Sequence, residues 1–132
     1  MPAMGFLERL INPLRLRERT ARQLQLEAVI NAAMDGVLKR VEGRKPPIFM
    51  QTFYGAISID PRFLAVWYIF KTEDELRAAK TTGFTQTLDE LTRELLDARG
   101  YPNFAVGLIA VSFTSDEDIF KKTGGDYPRY FK

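Results

Sequence analysis

The chain has 132 residues, of which 45% are hydrophobic and 27% charged, and it contains neither cysteine nor histidine. This length and composition are typical of one globular domain. The missing cysteine excludes disulfides, thiol chemistry, iron–sulfur clusters and thiolate zinc sites, and the missing histidine removes the most common metal ligand and general base. We therefore expect neither a resident metal nor a cofactor.

Basic residues are in excess only toward the N-terminus. Residues 1–47 hold nine Lys and Arg against five Asp and Glu, a net charge of +4, whereas residues 48–132 hold ten against twelve, a net charge of −2. The sequence predicts a basic amphipathic arm over residues 1–19, followed by a single domain over residues 20–132. Pro13 is expected to break or kink any helix in the arm. The arm's candidate contacts to nucleic acid or another anionic surface are Arg15, Arg17, Arg19 and Arg22.

The sequence carries no membrane or export signal that we recognise. No run of about 18 apolar residues is present, so we expect no transmembrane segment. The N-terminus lacks the apolar core and cleavage site of a signal peptide. These features favour a cytoplasmic location.

A long amphipathic helix is predicted from Thr20 onward. Thr20 and Gln23 have the spacing of a capping box, in which two side chains satisfy free backbone groups at a helix start. Apolar residues then recur at alternating steps of four and three, which is the pattern of one helix face. Gly43 and the Pro46-Pro47 pair end the pattern. The apolar stripe consists of Leu26, Ile30, Ala33, Val37 and Val41.

Two β-rich segments follow, over residues 48–59 and 62–71. The Asp60-Pro61 pair between them favours a turn, so the segments predict an antiparallel hairpin. Both faces of each strand carry apolar side chains. One face is expected to pack against helices, and the other must be covered by the N-terminal segment, the C-terminal tail or a partner.

Two helices and a third strand are predicted next. Capping boxes at residues 72–75 and 87–90 mark the starts of two helices, the second of which ends at Gly100. The nearly continuous apolar run over residues 104–113 predicts a strand at the centre of the sheet.

The C-terminal residues predict a short helical turn and a docked tail. Ser115 and Asp118 have the spacing of an N-cap, and the Gly124-Gly125 pair is expected to end that turn as a helix C-cap. The tail after residue 125 contains three aromatic residues. We expect it to pack on the body of the domain.

These elements together predict a single α+β domain in the order αββααβ, with a short C-terminal turn and tail. A small three-stranded sheet with helices packed on one face is the simplest arrangement. Over residues 20–113 this order resembles the type II KH domain, a resemblance that implies binding to RNA or to the ribosome. KH domains hold the nucleic-acid backbone with a GxxG loop between paired helices. The equivalent loop here, residues 80–84, has a single glycine.

The aromatic residues of the hairpin are the candidates for partner binding. About half of them are expected in the core, but a chain of this size does not easily bury both faces of a sheet. Tyr and Trp dominate the energetic centres of protein–protein interfaces and also stack on single-stranded bases. The few basic residues in this region favour a protein partner, or self-association through the sheet. The partner-binding candidates are Tyr54, Trp67 and Tyr68.

No motif in the sequence indicates an active site. The acidic clusters at residues 73–75 and 116–118 follow helix-capping residues, where negative charge complements the helix dipole. We predict a non-catalytic binding module with a protein partner, comparable in size and class to inhibitor and immunity proteins. The alternative is an RNA- or ribosome-associated protein of KH-like topology without a GxxG loop, and an enzyme of unknown type is the third hypothesis.

Overall fold

A computed structural model describes residues 13–131, with side chains from residue 20 onward. Within this range the chain is a small α+β domain, which confirms the predicted fold class. One 3-10 turn covers Pro61–Phe63. The helices and strands are, in chain order, α1 (Pro13–Arg40), β1 (Met50–Tyr54), β2 (Ala65–Phe70), α2 (Glu73–Thr81), α3 (Phe84–Ala98), α4 (Asn103–Val106), β3 (Ala110–Ser115), α5 (Asp116–Thr123) and α6 (Tyr127–Tyr130).

The sheet has the strand order β1-β2-β3. β1 and β2 are antiparallel, with Thr52 opposite Trp67, and β2 and β3 are parallel, with Trp67 aligned with Ser112. The predicted hairpin is therefore present, although ten residues connect its strands. The predicted central position of the third strand is wrong, because β2 lies between β1 and β3. The apolar run that suggested this position is divided between α4 and β3.

One face of the sheet forms the main core with the long helices. Val66, Tyr68 and Phe70 alternate along β2 and point into this core, since successive side chains of a strand lie on opposite faces. α1 and Val41, which follows it, contribute the predicted stripe, and α1 and α3 pack against each other. The core residues of α1 and α3 that are no more than 1% exposed are Ile30, Ala33, Val37, Phe84, Leu88 and Leu96.

The second face of the sheet is covered by the C-terminal helices. α5 packs against β3, and Ile119 of α5 is 0% exposed. Phe131, which follows α6, packs against Trp67 on the central strand. Of the three covers considered for this face, the described structure therefore shows the C-terminal tail, and the prediction that the tail docks is confirmed.

Two of the predicted helix caps are wrong and two are confirmed. α1 is continuous across Thr20, and α3 begins after Gly83, so Thr20 and Thr87 both lie inside helices. Thr72 and Ser115 cap α2 and α5 through their side-chain oxygens, as expected. Local pattern alone therefore located only some of the helix starts.

The C-cap prediction at the end of α5 is also confirmed. Gly124 caps α5 in the left-handed conformation, with φ of 68°.

The predicted N-terminal arm lies only partly within the described residues. Residues 13–19 form the first described turns of α1, and Pro13 is the first residue of this described helix. Proline is compatible with a first helical turn, where its missing N–H has no partner to lose. Residues 1–12 of the arm lie outside the described part. Among residues 13–131, no helix is long and apolar enough to cross a membrane.

Candidate binding surface

Four aromatic side chains meet on the second face of the sheet, and we call them the aromatic face. The centroid of the Phe131 ring lies 5.0 Å from that of Trp67, 5.1 Å from that of Tyr130 and 6.1 Å from that of Tyr54. The Trp67 indole N–H donates to the Tyr54 hydroxyl at 3.2 Å. Tyr54 is 43% exposed, and the other three are partly exposed. Solvent therefore reaches a packed aromatic cluster.

Strand pairing places Tyr54 and Trp67 side by side. Tyr54 lies opposite Ala65, and Trp67 is two residues further along β2. Diagonal neighbours of this kind lie on one face, within reach of aromatic side chains. The antiparallel register alone therefore positions half of the aromatic face.

The other half is positioned by hydrogen bonds between the C-terminal helices. The Tyr130 hydroxyl donates to Asp118 at 2.6 Å and lies 2.7 Å from Thr114 Oγ1. Since the single Tyr130 proton points to the carboxylate, Thr114 donates to Tyr130. The Tyr127 hydroxyl donates to Asp116. These bonds fix α6 on α5 and β3.

The same bonds shift the pKa values of their members. The hydrogen bond from Tyr127 lowers the pKa of Asp116, and the hydrogen bond from Tyr130 lowers the pKa of Asp118. Lys71 and Lys122 act on the two carboxylates in the same direction. Burial, reinforced by the adjacent carboxylate, raises the pKa of Tyr127 to about 12.

Two cations flank the aromatic face. An open cleft of about 530 Å³ extends from Tyr54 and Trp67 to Lys122 and Arg129. Lys122 forms an ion pair with Asp118 at 3.2 Å and lies over the Tyr130 ring. Arg129 is exposed and forms no ion pair with a described residue. The surface therefore combines rings with a guanidinium that has no acidic partner within the described chain.

The sequence-predicted residues divide between the two sides of the sheet. Tyr54 and Trp67 belong to the aromatic face, but Tyr68 is 0% exposed in the core, where its hydroxyl lies 2.7 Å from Thr92 Oγ1. Burial raises the pKa of Tyr68 to about 12. We therefore leave Tyr68 out of the binding surface.

Arg22, the arginine candidate whose side chain is described, lies on the helical side of the sheet. Arg22 is exposed on α1, and α1 packs against the face opposite Tyr54 and Trp67. Arg15, Arg17 and Arg19 fall within the same helix, in the part where only the backbone is described. Arg22 and the aromatic candidates thus do not form one site.

Sequence reasoning missed Tyr130 and Phe131 as members of the surface. The signal was present, because the tail is rich in aromatic residues and was expected to dock. The position of Phe131 depends on contacts with Trp67 and Tyr54, which lie more than sixty positions earlier and which no local pattern places beside it. Among the described residues, no group of three or more acidic side chains is placed to hold a metal ion.

Comparisons with known proteins identify no relative. No protein-family model, no curated protein and no solved structure matches this chain. The resemblance to the type II KH domain therefore continues to rest on the order of elements.

Proposed function

We propose that this protein is a non-catalytic binding module and that the aromatic face contacts a protein partner. The observation that carries the proposal is the cluster of Tyr54, Trp67 and Phe131, which is packed and hydrogen-bonded yet partly open to solvent. Tyr and Trp are enriched among the residues that dominate protein–protein binding energy.

Pre-ordering of these rings supports the proposal. Binding loses free energy when it has to immobilise flexible side chains. Here the Tyr54 and Trp67 side chains are joined by a hydrogen bond, and Phe131 is held between them and Tyr130. A partner would therefore bind aromatic side chains whose rotamers are already fixed.

The charge beside the rings indicates the character of the partner. Arg129 is exposed and without an ionic partner in the described chain, and it lines the same cleft as Tyr54 and Trp67. A guanidinium pairs well with a carboxylate, often through two hydrogen bonds. We infer a partner that brings an apolar or aromatic group to the rings and an acidic group to Arg129.

Nucleic acid is the competing partner class, because aromatic side chains beside cations also stack single-stranded bases. The acidic residues of α5 count against it. Asp116, Glu117 and Asp118 form its first turn, and Asp118 accepts a hydrogen bond from the Tyr130 hydroxyl. These carboxylates pair with Lys71, Lys121 and Lys122, so the lysines near the rings are already neutralised and attract a phosphate less.

The test is capture of partners from native lysate by the tagged chain, after nuclease treatment, with surface variants run in parallel. Tyr54→Ala and Arg129→Glu should each reduce a stoichiometric co-purifying protein at least tenfold. Phe104→Ala and Lys39→Glu are the matched controls, since both residues are exposed away from the aromatic face, and they should retain the protein.

Two results would overturn the proposal. One is capture that is equal for all four variants, which would place the contact elsewhere. The other is nucleic acid as the co-purifying species, released steeply by salt as counterion exchange requires. That second result would support the RNA-binding alternative.

A further inference from the structure

β1 is an open edge of the sheet. It pairs with β2 on one side. No other described residue forms a hydrogen bond with the main chain of β1, apart from the bond of the preceding Phe49 N–H to Ile69. Unpaired N–H and C=O groups on an edge strand are a template for a further strand.

β1 lacks features that protect edge strands from pairing with another strand. Natural proteins protect free edges with charged residues, prolines or bulges. The twelve residues from 48 to 59 contain no charged side chain and no proline. Within them Phe49 is 45% exposed, and Met50 and Tyr54 are each 43% exposed. β1 is therefore an apolar edge open to pairing.

The opposite edge of the sheet, formed by β3, is flanked by charged residues. A cleft of about 400 Å³ runs along β3, and charged residues of α2 and α5 line it, among them Arg77, Lys80 and Asp118. A strand entering there would have to approach these charges. Strand addition is consequently favoured at β1 over β3.

There is room for an additional strand beside β1. A groove of about 400 Å³ follows all five residues of the strand and is bounded by Tyr127, Pro128 and Phe131. A paired strand lies about 4.8 Å away.

We propose that the occupant of this groove is β1 of a second copy of the chain. The groove suits a short, uncharged and apolar strand, and β1 itself has this chemistry. In antiparallel pairing about a two-fold axis at Thr52, Thr52 of one chain would lie opposite Thr52 of the other. Met50 of each chain would then lie opposite Tyr54 of the other. Such cross-strand pairs are favourable, and a two-fold contact closes after two chains. The product is a continuous six-stranded sheet. This inference does not rest on the partner proposed above, although Tyr54 and Phe131 border both surfaces.

A charge-swap experiment tests the symmetry directly. Two lysines at Thr52 would lie opposite each other and repel, as would two glutamates, whereas one of each would attract. Thr52→Lys and Thr52→Glu should each raise the dimer dissociation constant about fivefold, and mixing them should restore it. The measurement is sedimentation equilibrium over a concentration series.

Ser112→Lys is the matched control. Ser112 flanks Trp67 from β3 as Thr52 does from β1, so the variant places the same charge on the same face at the other edge. It should leave the dimer intact. Circular dichroism should show that all variants are folded.

Three outcomes would overturn the inference. The wild-type chain could remain at its single-chain mass of 15.1 kDa at every concentration. The dimer could resist both Thr52 substitutions. The mixture of the two charged variants could fail to recover the wild-type dissociation constant.

Discussion

The ring centroids of Trp67 and Phe131 lie 5.0 Å apart, with their planes inclined by 54°. Trp67 belongs to the central strand, and Phe131 is the last residue of the described chain. The C-terminal end of the domain is thus packed on the middle of its sheet. The tail contributes to folding as well as to the proposed surface.

Phe131→Ala should uncover Trp67 and destabilise the domain. Removing a partly buried phenyl ring costs about 1–2 kcal/mol, less than a fully buried one. Trp67 is the sole tryptophan of the chain, so the emission reports on the surroundings of this one side chain. We expect a native-state emission shifted to longer wavelength and a lower free energy of unfolding in urea.

Phe104→Ala serves as the control for this experiment. Phe104 is 63% exposed, so its loss should change the free energy of unfolding by no more than about 0.5 kcal/mol. An unchanged emission maximum in Phe131→Ala would contradict the packing of the tail on Trp67.

Acid should weaken the attachment of α6. The pKa of Asp116 and that of Asp118 are lowered in the folded state by hydrogen bonds from Tyr127 and Tyr130. Their stabilisation is complete above the unfolded pKa of about 3.9 and is lost as the pH falls through the lower folded values. We expect the free energy of unfolding to decline below about pH 4.

Tyr127→Phe combined with Tyr130→Phe separates this effect from general acid denaturation. The double variant removes both donors, so its stability should fall less between pH 4 and pH 2 than that of the wild type. Urea titrations across this range provide the measurement. Parallel pH profiles for the two proteins would refute the assignment.

The two similar capping patterns show where sequence reasoning succeeds and where it fails. Thr72 and Thr87 are each followed three residues later by glutamate, yet only Thr72 caps a helix. α3 begins three residues before Thr87 because Gly83 takes a left-handed conformation and Phe84 is buried, 1% exposed, beside Phe70. The burial of Phe84 is a tertiary effect that a local pattern does not contain.

The candidate site could be predicted only in part, because tertiary packing also decides which of its residues reach the surface. Strand alternation places Trp67 and Tyr68 on opposite faces, so the sequence could have assigned them to different environments. The choice of which face is buried depends on helices elsewhere in the chain. The position of Phe131 depends on contacts with β1 and β2 that are distant in sequence. Local patterns identified the elements, and long-range packing determined the surface.

The hydroxyls of Tyr68 and Thr92 are buried on the core face of the sheet, and substitutions there test the energetic value of their hydrogen bond. Thr92 Oγ1 donates to the Leu88 carbonyl at 2.6 Å, so the Tyr68 hydroxyl, 2.7 Å away, donates to Thr92. Thr92→Val leaves the buried Tyr68 proton without an acceptor, at a cost of about 1–3 kcal/mol. Tyr68→Phe should cost about 0.5–1.5 kcal/mol, because Thr92 keeps its own bond.

The double variant completes the cycle. In a Tyr68→Phe background, Thr92→Val no longer leaves a buried hydroxyl hydrogen without an acceptor. The double variant should therefore lose less free energy of unfolding than the sum of the two single losses. Thr87→Val is the control, since Thr87 lies in the same helix and its hydroxyl donates to the Gly83 carbonyl and to no other described residue. Additive losses in the cycle would show that the two hydroxyls are not coupled.

Gly55 and Gly83 allow backbone strain to be separated from steric conflict. Both have positive φ, 138° and 81°, but a Cβ on Gly55 would lie 2.2 Å from the Phe63 carbonyl oxygen, whereas a Cβ on Gly83 would meet nothing within 4 Å. Gly83→Ala should cost about 1–2 kcal/mol for the left-handed conformation alone. Gly55→Ala adds a clash with the main chain and should cost about 3 kcal/mol or more.

The clash at Gly55 should also reach the aromatic face. Gly55 directly follows Tyr54, and Phe63 lies two residues before Ala65, the cross-strand partner of Tyr54. Relief of the clash requires these strand ends to separate, which moves Tyr54 away from Trp67. We expect a change in Trp67 emission in folded Gly55→Ala and none in Gly83→Ala, measured together with urea unfolding. Equal losses of stability in the two variants would show that the Phe63 carbonyl does not restrict this turn.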